Sequence, residues 1–522
     1  MADERAGLAG RRAWLGLAVL VIPTLLVAMD LTALFLALPR LSSELGASSV
    51  EQLWISDSYG FLVAGFVITM GTLGDRIGRR RLLLIGAAAF AVLSVVAAYS
   101  TTPQMLIAVR ALLGIAGATL MPSTLALISN MFRDGRQRGK AIAVWATGQF
   151  AGGALGPVLA GFLLGHFWWG SVFLAAVPAM GLLLLTAPAL LPEYRNPDAG
   201  RLDIASAGLS LAAVLPVVYG LKQLTIGGVH ETAIPLVSIA VGLLAGVVFV
   251  RRQFRLDEPL LNLRLFASRP FTAILVALVL AGVAMAGLGL LVTQYLQSVL
   301  GFSPLAAALL FAPMGLGVAV GTMSTPALAR RVRPARAIAG GLALSAAGCV
   351  LLALVGSGHG LPLVMTGIAV LALGTGPLFA LGIGLVIGSV PPERAGSAAS
   401  MSEMSNYIGG ALGIAALGVV SASIYRSQMA HLVAAGAPAA AGQTLASATA
   451  ASQHLPAPQA AALLHAAHAA TTSGLNVAGA VAVVIFAALS LVIAVIDRTG
   501  RSAAAAGTAD GAARDDEFAT VP

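Results

Sequence analysis

Fourteen apolar runs, each long enough to cross a bilayer as a helix, account for most of the chain. A hydrocarbon core of about 30 Å needs roughly 20 apolar residues in helical form. Runs of this kind lie near 13–38, 52–74, 82–99, 104–128, 140–164, 168–189, 203–222 and 233–250, then near 271–293, 303–326, 336–355, 363–388, 396–422 and 474–497. The residues are 58% hydrophobic and 10% charged, against about 25% charged in soluble domains. A soluble core is therefore the wrong picture, and the sequence specifies an all-α polytopic membrane protein. The first run is too long for a signal peptide and is followed by all the others.

The charges fix the expected orientation. Of the 30 lysines and arginines, 26 fall in the loops on the side of the two termini, 3 on the opposite side, and Arg110 lies within a span. Positive loops stay inside, so both termini are expected in the cytoplasm, with an even number of spans. Trp54, Trp168 and Trp169 then fall at the outer interface, where belt aromatics belong. The net charge of +9 sits in these short loops with no interleaved aromatics, which argues against a nucleic-acid partner; the lipid bilayer is the partner instead. The single cysteine, Cys349, leaves no disulfide framework or cysteine-based metal site. No G-x-x-x-x-G-K-[ST] pattern marks direct use of ATP.

A short repeat organises the spans. The loop after the second run reads LGDRIGRRRLLLIG from Leu73, and the loop after the tenth reads LARRVRPARAIAGG from Leu328. The offset of 255 residues relates two sets of six spans, with two spans inserted between them. Parallel six-helix repeats around a midplane site are a transporter architecture. The expected units are 1–190, a first six-helix bundle, and 191–255, the inserted pair. A second bundle follows over 256–498, with an outer helical-hairpin loop at 425–473, and then a disordered cytoplasmic tail at 499–522.

Within the oily runs sit four ionisable residues that need a reason. Asp30 lies in MDLTALFLALP, roughly 24 Å from the inner end of its span at about 1.5 Å per residue. Asp57 and Arg110 lie in the outer halves of spans 2 and 4, and Glu403 in the inner half of span 13. An acid near the bilayer centre costs about 2.5–3.5 kcal/mol on insertion scales, so such residues face a partner or an aqueous cavity. An acid poised between desolvation and a nearby cation can hold either a proton or a cationic ligand. Exclusive occupancy by one or the other would couple their movements. The plainer alternative for Asp30 is charge neutralisation of Arg110. Met404, Asn406 and Tyr407 beside Glu403, with Tyr59, Trp145, Phe150, Gln294, Tyr295 and Phe379, are candidate pocket residues offering adaptable or cation–π contacts.

Four motifs resemble the major facilitator superfamily. GTLGDRIGRRR from Gly71 resembles its loop motif after span 2, and RALLGIAGA from Arg110 its span-4 motif. GQFAGGALGPVLAG from Gly148 resembles the span-5 motif associated with antiporters. DLTALFLALP from Asp30 is similar to the span-1 motif of the fourteen-span drug:proton antiporters. WISD from Trp54 and the Glu403-bearing span resemble the quaternary-ammonium and methyl-viologen efflux subgroup. The resemblance implies a major facilitator fold of 14 transmembrane helices, two six-helix bundles plus two inserted helices. It implies a proton-coupled exporter of cationic or lipophilic drugs in the bacterial cytoplasmic membrane, not an enzyme. Such a protein is driven by the proton gradient without a cofactor or metal, and acts as a monomer. A dedicated exporter of a host-made metabolite or antibiotic is the alternative.

The resemblance gives Gly71, Asp75, Arg76, Gly78 and Arg79 a gating role, with Asp75 latching the two halves. It gives Gly148, Gly152, Gly156, Pro157 and Gly161 a role in sealing the pathway. From the residues themselves, those glycines strip side chains from nearly one helical face and permit close packing, and Pro157 loosens its helix. In the outer loop, TLASATAASQ from Thr444 and APQAAALLHAAHAA from Ala457 predict two short helices around a proline turn.

Overall fold

A computed structural model describes residues 9–47, 49–195, 203–226, 233–256, 259, 263–358, 360–390, 395–434 and 437–518. Its helices are α1 (Arg11–Leu45), α2 (Ser49–Ile77), α3 (Arg79–Ala98), α4 (Pro103–Met131), α5 (Gly135–His166) and α6 (Ser171–Leu190). Next come α7 (Ile204–Ile226) and α8 (Ala233–Arg255). Then follow α9 (Arg269–Gln294), α10 (Pro304–Leu328), α11 (Pro334–Ala353), α12 (Leu361–Gly388), α13 (Ala395–Ala434) and α14 (Ala457–Phe518). Thirteen of these are long and apolar enough to cross a membrane. The other is α7, whose apolar stretch is described over Ile204–Gly220. The protein is thus a multi-pass membrane protein.

Local chemistry sets the helix ends. Thr102 accepts a hydrogen bond from the Met105 N–H at 3.2 Å and Asp134 one from Gln137 at 2.8 Å, satisfying donors left over at the starts of α4 and α5. Two helices deviate from α geometry inside the membrane: π-turns at Tyr295–Val299, after α9, and at Leu378–Gly382, within α12 after Pro377. The second follows Pro377, which lacks a backbone donor, and such bulges gather at functional sites.

Pairwise packing displays the two bundles. In the first half α1 packs on α5, α2 on α4 and α3 on α6; in the second, α9 packs on α13, α10 on α12 and α11 on α14. The same span positions pair in both halves, as the loop repeat predicts. The bundles meet through α5 against α10 and α2 against α13, the same contact with the halves exchanged. They also touch where Ile142 and Arg138, near the start of α5, approach Gly384 and Gly388 near the end of α12. The inserted helix α7 leans on both α2 and α13, along the seam, and α8 packs on α7. Leu236, Val237, Leu243 and Leu244 on α8 are exposed, as a lipid-facing helix requires.

Two features differ from the sequence expectation. Of the two short outer helices, Leu445–Ser452 stands alone, held by a reciprocal Thr444–Ser447 capping box. The segment from Ala457 is not a short helix: it opens α14, which continues unbroken into the span. The proline turn lies between the two helices as expected, and Pro458 falls in the first turn of α14, where a missing N–H costs nothing. At the other end α14 runs to Phe518, where a disordered tail was expected. Alanine, the strongest helix former, dominates that stretch.

Candidate functional site

The candidate residues fall into two groups, one within each bundle. Asp30 on α1 and Arg110 on α4 form an ion pair, with the Arg110 side chain fully buried and that of Asp30 13% exposed. Arg110 Nε also donates to the Ile55 carbonyl at 3.2 Å. Its guanidinium carbon lies 4.8 Å from the Tyr59 ring centre and 5.9 Å from that of Phe173. Arg110 Nη2 and the Tyr59 hydroxyl are buried without a hydrogen-bond partner. The neutralisation alternative therefore describes the contact made here: the acid balances a buried cation. The Asp57 side chain lies outside the described residues.

Glu403 has a different environment. It is 2% exposed on α13, Oε2 meets no hydrogen-bond donor, and no lysine or arginine pairs with it among the described residues. Met401 and Met404 are buried beside it. Tyr407, one turn along α13, is half-buried. Phe150 and Phe379 meet across the seam between the bundles, ring centres 4.9 Å apart. Thr147 and Thr322 share a hydrogen bond of 2.8 Å there.

The other candidate pocket residues do not join this group. Trp145 is fully buried and its indole N–H donates to Thr124 at 3.0 Å, a packing role within the first bundle. The Tyr295 hydroxyl donates to the Gly356 carbonyl at 2.6 Å, tying α9 to the loop after α11, and Gln294 is exposed. Asn406 is half-buried, its backbone close to Gly282 of α9.

The glycines of α5 face α1 at backbone range. A side-chain carbon at Gly152 would collide with the Leu25 carbonyl, and one at Gly156 with Thr32 Oγ1 and the Met29 carbonyl. Gly148 meets Val21. Gly409 and Gly413 of α13 face the Val279 and Val283 carbonyls of α9 in the same way, so close packing repeats in the second bundle. Pro157 and Gly161 are half-buried farther along α5, and Gly71 is buried in α2.

At the base of the first bundle, Asp75 pairs with the buried Arg79 one turn on, in its own loop. Gly78 has φ of 110°, a conformation that disfavours any side chain. Across this loop Glu193 accepts from the Arg80 and Arg81 N–H groups at 3.0 and 3.1 Å, placing a carboxylate on the N-terminus of α3, where the helix dipole favours it. Arg76 is half-buried, with Nη1 lacking a partner. In the second bundle Arg336 of α11 pairs with Asp497 of α14, 3.5 Å away. An acid close to the end of the sixth span and an arginine opening the third recur in both halves.

Comparison with known proteins agrees with this architecture. The family model of the Major Facilitator Superfamily matches residues 20–414, and the chain belongs to that family of membrane transporters. It is not an enzyme. It is 39% identical to the multidrug efflux pump LfrA of Mycolicibacterium smegmatis, over 93% of this chain and 97% of the relative. It is 35% identical to the methyl viologen resistance protein SmvA of Salmonella typhimurium, over 78% and 82%. The crystal structure of the human organic anion transporter TETRAN shares the fold, with a TM-score of 0.59 at 16% identity, covering 91% of this chain and 99% of that one.

Proposed function

We propose that the protein is a proton-coupled multidrug efflux antiporter of the bacterial cytoplasmic membrane. It exports hydrophobic, cationic compounds such as quaternary ammonium biocides and dyes, and works by alternating access as a monomer with both termini in the cytoplasm. The proton gradient drives it, with no cofactor. The observation that carries this reading is Glu403, a buried carboxylate whose Oε2 meets no donor and which no lysine or arginine pairs among the described residues. A charge buried without a counter-charge is costly unless a proton or a cation relieves it. Proton and cargo therefore compete for one acid, and either occupant lets the bundles rearrange. Methionines and Tyr407 provide a polarizable wall suited to varied hydrophobic cations. Asp30, neutralised by Arg110, is the poorer cation site; its role is to hold the buried arginine in place. The Asp75–Arg79 pair and the Glu193 contacts brace the inner loop through which the first bundle tilts.

The experiment is direct. Ethidium added to purified protein in weakly buffered detergent at mildly acidic pH displaces protons from the native chain and none from Glu403→Gln. Binding with no proton release by the native chain would defeat the competition. A dedicated exporter of a host-made antibiotic is the second reading, favoured by the chain's 31% identity to a tetracenomycin C resistance and export protein of Streptomyces glaucescens. A transport screen that finds a single accepted compound class would select it.

A further inference from the structure

One face of α5 runs against the second bundle from Arg138 to Ala154, about 24 Å at about 1.5 Å per residue. Arg138 and Ile142 lie opposite Gly388 and Gly384 of α12, Phe150 packs on Phe379 of the same helix, and Ala154 faces Gly315 of α10. Midway along this face Thr147 Oγ1 lies 2.8 Å from Thr322 Oγ1 of α10 and 3.5 Å from the Ala319 carbonyl. Thr322 is fully buried. Each hydroxyl also has an acceptor on its own helix: the Ala143 carbonyl at 2.7 Å for Thr147, the Ala319 carbonyl at 2.9 Å for Thr322. A hydroxyl carries one proton. One of the two therefore bridges the bundles while the other turns to its own carbonyl. When α5 and α10 part, both turn to their own carbonyls, and neither is left buried without an acceptor. The contact thus opens without the penalty of an unpaired polar group.

We propose, on the alternating-access reading given above, that the Thr147–Thr322 hydroxyl pair is a reversible latch between the bundles. It favours the arrangement in which this face of α5 is closed on α10 and α12. Ile142, Phe150, Phe379 and Ala154 pack there without directional bonds, so the hydroxyl pair is what sets the register of α5 on α10. Its strength suits a cycle. A hydrogen bond between membrane helices shifts an equilibrium by about threefold on average, enough to bias the closed arrangement without locking it. An ion pair at this depth would leave two uncompensated charges in a low-dielectric interior at every opening. The threonines avoid that, because each carries its replacement acceptor with it one turn back on its own helix.

The test uses the full-length chain carrying Ile142→Cys. Ile142 is fully buried opposite Gly384, and the native Cys349 is fully buried as well. The rate at which a membrane-impermeant maleimide labels the introduced thiol in detergent reports opening of this face of α5, and the chain without Ile142→Cys gives the background. Thr147→Val, Thr322→Val, the two together and Thr322→Ser are compared in the labelled chain. Either valine should raise the labelling rate by about threefold. The double variant should rise no further than either single one, because the same bond is lost in all three. Thr322→Ser keeps the hydroxyl and should label like the parent. Unchanged rates in both valine variants overturn the proposal. So do single increases that multiply to about ninefold in the double variant, or a serine variant as open as the valine one, since either makes packing the cause. Movement of ethidium by the native chain in liposomes under a pH gradient is read alongside. Its absence defeats the proton and drug reading, while the labelling ratios still decide the latch. Should Thr322→Val elute as aggregate, Thr147→Val and Thr147→Ser, at the half-buried member of the pair, are read by the same single-variant criteria.

Discussion

Replacing one member of the Asp30–Arg110 pair leaves a different problem on each side. With Arg110→Leu, Asp30 keeps its position, 13% exposed, without its counter-charge. A buried acid left so costs about 3–5 kcal/mol. With Asp30→Leu, the guanidinium is fully buried and cannot shed its charge. The Ile55 carbonyl and the Tyr59 and Phe173 rings still hold it, so the cost falls at the lower end of the same range, about 3 kcal/mol. Removing both charges leaves an apolar contact within about 1 kcal/mol of native. Unfolding in mixed detergent micelles, on the native protein, both single variants and the double variant, measures the cycle. Additive single effects, with coupling below about 0.5 kcal/mol, would refute the reasoning.

Other consequences follow from the same structure. Gly152→Val pushes a side chain into the Leu25 carbonyl of α1 and should lower stability by about 1–3 kcal/mol through overpacking, read as a fall in the thermal midpoint. Glu193→Ala removes the acceptor of two N–H groups at the start of α3 and should cost about 1 kcal/mol, partly screened by solvent. The clasp between α7 and α8 should respond to acid. Hydrogen bonds from Ser206, outweighing partial burial, and the Arg252 guanidinium hold the Asp203 carboxyl below the usual carboxylate range. Its contribution is complete above the unfolded carboxyl value of about 3.9 and is lost as the pH falls through the lower folded value. Amide exchange in the first turn of α7, corrected for intrinsic rates, should therefore hold steady around neutrality and accelerate only in strong acid.

Much of this was legible in the chain. Apolar run lengths located the spans because a bilayer imposes one length on every crossing. Arginine placement divided the loops, and the acids at 30 and 403 stood out because hydrocarbon tolerates few charges. The neutralisation of Arg110 by Asp30 was available as the plain reading of two opposite charges in the outer half of one bundle. Thr147 is not legible in the sequence, because its bond to Thr322 joins residues 175 positions apart and nothing local announces a cross-bundle contact. Glu193 looked like an ordinary loop acid until the chain brought it onto the α3 terminus. The proline turn before Ala457 is legible, but the length of the helix after it is not, because its alanine run passes without a breaker into the apolar span.

The central claim is that a proton and a cationic cargo exchange through Glu403. Its most direct test is ethidium movement into liposomes carrying the native protein or Glu403→Gln, with a pH gradient imposed and then collapsed by an ionophore. The account predicts gradient-driven movement by the native protein that stops on collapse, and none by the variant. Equal gradient-driven movement by Glu403→Gln, or none by folded native protein, would contradict it.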